Sequence, residues 1–181
     1  MKTFLSKIVL LLLLNVAAMG MCRAQDFIDY TQVGLMKADY DHRAVLYIGN
    51  TQKAAIAILG TPTSQSTYFS EIRNVNLTVL NYGASKLYFD ADGLVLYDIA
   101  DASIAVGKNY ATSFRVGTNR GSNSVFHGLA VKATAGKSRN LNYGAIALAS
   151  LKSGGDVLDF GVEVLFDGSG NVFDICLLET N

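Results

Sequence analysis

Apolar and polar residues alternate with period two at Val75, Leu77 and Val79 against Asn76 and Thr78. That is the pattern of a strand with one buried face. Strand alternation sends Leu80 and Tyr82 to one face and Val79 and Asn81 to the other, without saying which face is buried. Two further runs, Lys86 to Phe89 and Leu94 to Ile99, flank Asp90-Ala91-Asp92-Gly93, an Asp-Gly hairpin signal. Val162 to Phe166 and Val172 to Leu178 flank Asp167-Gly168-Ser169-Gly170 in the same way. Tyr143 to Leu151 reads as another strand, and Ala44 to Ile48 as a β-prone lead-in.

One stretch breaks the period. Gln52 to Leu59 is rich in Ala and Leu, preceded by Gly49-Asn50-Thr51 and followed by Gly60 and Pro62. Good helix formers, a side chain able to cap the first turn, and a glycine and proline at the end predict a short helix. In the second half, Thr118 to Gly128 is rich in Gly, Ser and Asn, and Ser124 to Lys132 is the only candidate helix.

The two halves echo each other. Val79-Leu80-Asn81-Tyr82-Gly83 returns as Val157-Leu158-Asp159-Phe160-Gly161. Phe89-Asp90-Ala91-Asp92-Gly93-Leu94-Val95 returns as Phe166-Asp167-Gly168-Ser169-Gly170-Asn171-Val172. The spacing is 78 residues for the first pair (79 to 157) and 77 for the second (89 to 166). A weaker echo links Tyr47-Ile48-Gly49-Asn50 to Arg115-Val116-Gly117-Thr118. Matches in one order at nearly one spacing point to a duplicated unit.

The N-terminus changes the picture. Lys2 and Lys7 precede an apolar run, Ile8 to Leu14, extended by Val16 to Met19. This reads as a signal peptide over residues 1–24, cut after Ala24, with the mature chain starting at Gln25. Export would place the protein in the periplasm, at the outer membrane or outside the cell. Lipidation at Cys22 is the rival, although Met21 is a poor residue before a lipidated cysteine. The mature chain has 157 residues (25 to 181). Removing Lys2, Lys7 and Arg23 leaves 12 of 15 basic side chains against 15 acidic ones, a net charge of −3. No basic tract suggests nucleic-acid binding, and no second apolar run is long enough to span a membrane.

These readings give an α+β fold class: two tandem modules, each a helix followed by an antiparallel sheet, joined in one sheet with the helices on one face. The divisions are the signal peptide at 1–24, a lead-in at 25–43, and modules at 44–106 and 107–181. The order of lead-in, short helix closed by Leu59-Gly60-Thr61-Pro62, strands, and an aromatic-Asp-x-x-Gly-x-Val hairpin resembles the β-lactamase-inhibitor-protein-like fold. It also resembles the module of the SmpA/OmlA (BamE) outer-membrane lipoproteins. The resemblance covers Tyr47 to Ile99 and, less closely, Arg115 to Leu178. The second copy lacks Leu-Gly-x-Pro, and the chain has no tryptophan. The resemblance implies work by binding other proteins.

Candidate chemistry is sparse. The two histidines, His42 and His127, lie in polar or glycine-containing stretches with no partnered nucleophile. Asp90-Ala91-Asp92-Gly93 stops short of a calcium loop, and Gly117 to Ser122 lacks the lysine of a phosphate loop. Cys176 sits in an apolar run and reads as a small core residue. We therefore expect a non-enzymatic, exported protein-binding or envelope-associated module without a cofactor or metal, whose partner is another protein or envelope component. The alternative is a small secreted enzyme or ligand carrier with its site between the modules. The expected binding surface is the uncovered sheet face with its hairpin tips: Tyr82, Ser85, Tyr88, Tyr97, Asp92 and Ser169.

Overall fold

The computed structural model describes residues 27–39, 44–121, 129, 131–132 and 134–180. The signal-peptide reading, Cys22, His42 and His127 lie outside the described residues.

In chain order the elements are β1 (Phe27–Asp29), a 3₁₀ turn (Tyr30–Val33), β2 (Leu35–Lys37), α1 (Gln52–Leu59), β3 (Ser64–Ser70), β4 (Val75–Tyr82), β5 (Ser85–Phe89), β6 (Leu94–Ile99), β7 (Ile104–Val106) and a second 3₁₀ turn (Tyr110–Thr112). They continue with β8 (Val131–Lys132), β9 (Gly136–Ser138), β10 (Leu141–Tyr143), β11 (Ala145–Ser153), β12 (Asp156–Phe166) and β13 (Val172–Glu179).

Helix α1 forms where its punctuation demands. Thr51 Oγ1 accepts from the Ala54 amide at 3.3 Å, and the Gly60 amide closes on Ile56 O at 3.0 Å. Gly60 sits at φ +93°, a conformation costly for other residues. Ala55 and Leu59 carry the helix into the core.

The strands build a 9-stranded sheet in the order β1-β11-β12-β13-β6-β5-β4-β3, with β8 also pairing β11. The sheet is mixed, because β1 runs parallel to β11 while the other pairings are antiparallel. Its centre is the β6–β13 junction, formed by Ile99↔Ile175, Asp98↔Cys176 and Tyr97↔Leu177. On either side lies a meander, β4-β5-β6 and β11-β12-β13.

The expected two tandem helix-then-sheet modules, with helices covering one face, are overturned. Among the described residues, strand accounts for 53% and helical structure, the 3₁₀ turns included, for 11%, with a single α-helix feeding one large mixed sheet. In the second half Asn119-Arg120-Gly121 form a turn, as Asn and Gly favour. The candidate helix Ser124 to Lys132 lies mostly outside the described residues, and Val131–Lys132 at its end are strand β8. Asn119 there bridges to Asn171, its Nδ2 donating to Asn171 Oδ1 at 2.9 Å.

The turns preceding these segments are held alike. The Gly49 amide donates to Leu94 O at 2.8 Å, and the Leu94 amide to Asn50 O at 2.8 Å. In the second half the Gly117 amide donates to Val172 O at 2.8 Å, and the Val172 amide to Thr118 O at 2.9 Å. Each hairpin carries a register shift beside this clasp, between Tyr88 and Phe89 and between Leu165 and Phe166. Strand β2 pairs β7 with Leu35 opposite Val106; Leu46 bridges to Leu35 and Phe114 to Val106.

The core lies on one face of the sheet. Leu80, Leu87, Phe89, Tyr97, Ile99, Val162, Val164, Phe166, Ile175 and Leu177 point into it, covered by α1, β2, β7 and the chain around Leu46 and Phe114. Burial of each large side chain contributes roughly 1.5–3 kcal/mol before entropy is charged against it. Tyr97 reaches furthest, its hydroxyl donating to Val33 O at 2.9 Å.

Candidate functional site

Strand register fixes what the second face presents. A row of neighbours crosses it: Leu148, Glu163, Cys176, Asp98, Lys86, Asn81 and Ser64. All alternate with core residues, so they point away from the main core. The face divides into two regions with different chemistry.

Over β12 and β13 it is occupied by a hairpin. Strands β9 and β10 pair with Ser138 opposite Leu141, leaving a two-residue turn of Arg139 and Asn140 at φ +45° and +67°. Two consecutive positive φ values give the mirror-image turn that suits hairpin twist. The turn aims Arg139 at three carboxylates. Its Nε donates to Glu163 Oε1 at 2.9 Å, its Nη2 bonds Asp174, and its Nη1 lies 3.7 Å from Asp98 Oδ2. Ser138 Oγ donates to the other Glu163 oxygen at 2.7 Å.

One guanidinium cannot neutralise three carboxylates. Asp174, enclosed and beside Asp98, is pushed up to about 6, first by burial and then by the Asp98 charge. Asp98 Oδ1 is buried without a hydrogen-bond partner. When protonated, below about pH 6, Asp174 can act as a donor toward Asp98. Cys176 sits between these groups, and burial raises its thiol well above the ordinary value. It is a packed thiol, not an activated one.

Over β3 to β5 the face is more accessible. Tyr68 is 50% exposed and meets half-buried Tyr88 edge-on, with centroids 5.5 Å apart and planes at 75°. Leu77 and Val79 lie buried beside them, opposite Tyr68 and Tyr88 in register. Lys86 is exposed, and Asn81 Nδ2 donates to Ser64 Oγ at 3.1 Å. Burial, then the Asp98 charge, pushes the Tyr88 phenol up to about 12, so it remains a neutral donor at physiological pH.

The residues expected to form a binding surface are dispersed. Tyr88 lies on the second face. Tyr82, Ser85 and Tyr97 are buried toward the core. The Tyr82 hydroxyl donates to Gly60 O at 3.1 Å, and Ser85 Oγ donates to Asp101 at 3.0 Å while accepting from the Ala100 amide at 3.1 Å. Asp92 and Ser169 are exposed in turns whose amides donate to Asp90 and Asp167, each at 2.8 Å. Asp90 is engaged further by Arg73 at 2.8 Å, so its carboxylate is committed to the turn. Tyr68 and Arg139 are the residues that the sequence reading missed.

Among the described residues, no group of His, Cys, Asp and Glu is arranged to hold a metal, and no helix is long and apolar enough to cross a membrane. Compared with protein-family models, curated proteins and solved structures, the chain has no match.

Proposed function

We propose that this chain is an exported, non-enzymatic module that binds another protein through the accessible part of the second sheet face. The observation that carries the reading is the Tyr68–Tyr88 pair, half exposed beside a polar row of Asn81, Lys86 and Ser64. Aromatic side chains with a polar tip offer large rigid contact area at low entropic cost, and the polar row keeps the free face soluble. Export rests on Lys2, Lys7 and the apolar run Ile8 to Leu14. The matching turn clasps at Gly49 and Gly117 support descent of the two halves from one duplicated unit.

The alternative, a site between the halves, would use the cluster at the β6–β13 junction. There Arg139 already occupies the carboxylates, which favours a structural pin over a ligand site. Capture from the native cell envelope tests the reading. The wild-type chain should retain a partner that Tyr88→Ala and Tyr68→Ala lose while keeping their melting temperatures. Equal capture by all three would refute it.

A further inference from the structure

Sheets protect their edges with charge, proline, bulges, shortness or a covering segment. At the β11 side, the sheet is finished by β1 and β8, short strands containing Asp29 and Lys132. At the other end, β3 is the terminal strand among the described residues. It pairs with β4 over seven consecutive residues, Ser64↔Asn81 to Ser70↔Val75, without a register shift. Its sequence, Ser-Gln-Ser-Thr-Tyr-Phe-Ser, has neither charge nor proline. Alternate backbone groups of a terminal strand point away from its one neighbour.

Exposed apolar surface gathers at the same place. Of nine large hydrophobic side chains exposed among the described residues, four are Tyr68, Phe69, Ile72 and Val75, on β3, the turn that follows it and the first residue of β4. Tyr68 and Phe69 project to opposite faces, so apolar surface flanks the strand on both sides. The edge is also self-complementary. An antiparallel pairing centred on Thr67 sets Tyr68 against Ser66 of the second copy, Phe69 against Gln65 and Ser70 against Ser64. No charge meets a like charge in that register. The chain already joins its two meanders through an antiparallel junction of only three residue pairs at β6–β13.

We propose that β3 pairs with β3 of a second copy of this chain, making an antiparallel dimer whose two-fold axis passes by Thr67. This edge adjoins the partner surface proposed above and shares Tyr68 with it, so the test uses Thr67 and Ser66, which that surface does not include. The occupant is a second copy because the edge opposes itself without repulsion and carries no charge with which to select a charged partner strand.

The test is sedimentation velocity of the full chain from 1 to about 100 µM, with two charge variants. Thr67 is exposed, so Thr67→Lys and Thr67→Glu leave the core untouched. The wild type should sediment as a dimer at the upper concentrations. Each variant alone should weaken dimerisation by ~10-fold or more, because the substituted positions face each other across the axis. An equimolar mixture of the two should recover the dimer. A wild type that is monomeric throughout would overturn the proposal. So would a dimer that persists in both variants, or a mixture no stronger than its components. Unchanged melting temperatures show that the variants are folded, and Ser66→Lys with Ser66→Glu provides a second pair near the axis.

Discussion

Arg139 Nε meets Glu163 Oε1 at 2.9 Å, although Arg139 lies in the turn of a separate two-stranded sheet and Glu163 lies mid-strand in the large one. The contact pins the β9–β10 hairpin to the second face. Removing the cation leaves buried carboxylates facing one another. Arg139→Met should cost about 3–5 kcal/mol, the range for breaking a buried pair from one side. Arg139→Lys should recover only part of this, because an ammonium lacks the planar fork that reaches several carboxylates. Urea denaturation of the three proteins measures the difference.

Asp174 gives the molecule an unusual pH response. Its folded value is raised to about 6 from an ordinary 3.8. The folded state therefore binds a proton that the unfolded state releases between those values. This contribution is fully present below the unfolded value and is lost as pH rises through about 6. Asp29, Asp101 and Asp167 are held low by hydrogen bonds and work in the opposite direction, losing stability as pH falls below the ordinary carboxylate range. Stability should thus decline between about pH 4 and 6, and Asp174→Asn should flatten that decline. Melting curves across this window check it, and carboxyl NMR should place the Asp174 midpoint near 6.

Gly93 is fixed by a close approach. A Cβ there would lie 2.3 Å from Gly49 O, in a backbone at φ +129°. Gly93→Ala should cost roughly 3 kcal/mol or more, combining a steric shift with a strained backbone. Gly49 also has positive φ but open space around it, so Gly49→Ala should cost only about 1 kcal/mol. Thermal denaturation separates the two.

Ser85 belongs to the fold, not the binding face. It is fully buried and bonded to Asp101 and Ala100. Ser85→Ala should destabilise by about 1–2 kcal/mol, leaving the Ala100 amide without its partner while Asp101 keeps the Ala84 and Ser85 amides. Capture by the folded fraction should not change.

How much the chain disclosed depended on whether a signal was local. Gln52–Leu59 emerges from its own sequence, because Thr51, Gly60 and the alanines act within one turn. The hairpins at Asp90–Gly93 and Asp167–Gly170 were equally legible, since a turn is settled by neighbours. Strand β3 was not: its polar composition hides an edge strand that borrows its order from β4. The exposed face was also hidden. Alternation separated Tyr82 from Asn81 correctly, yet only the packing of Leu80 and Tyr82 into the core shows which side is buried. Arg139 had no signal at its own position, because its partners Glu163 and Asp174 are 24 and 35 residues away. The candidate second helix, Ser124 to Lys132, rested on a repeat, but Val131 and Lys132 at its end pair with Ala147 and Ile146 as strand β8.

The most direct test of the binding reading is photocrosslinking in living cells. A benzophenone side chain replaces Tyr88 or Lys86 on the second face, or Val157, exposed on β12, as the control. The account predicts one shared crosslinked protein from positions 88 and 86 and none from 157. No adduct at 88 and 86, with a discrete adduct at 157, would contradict it.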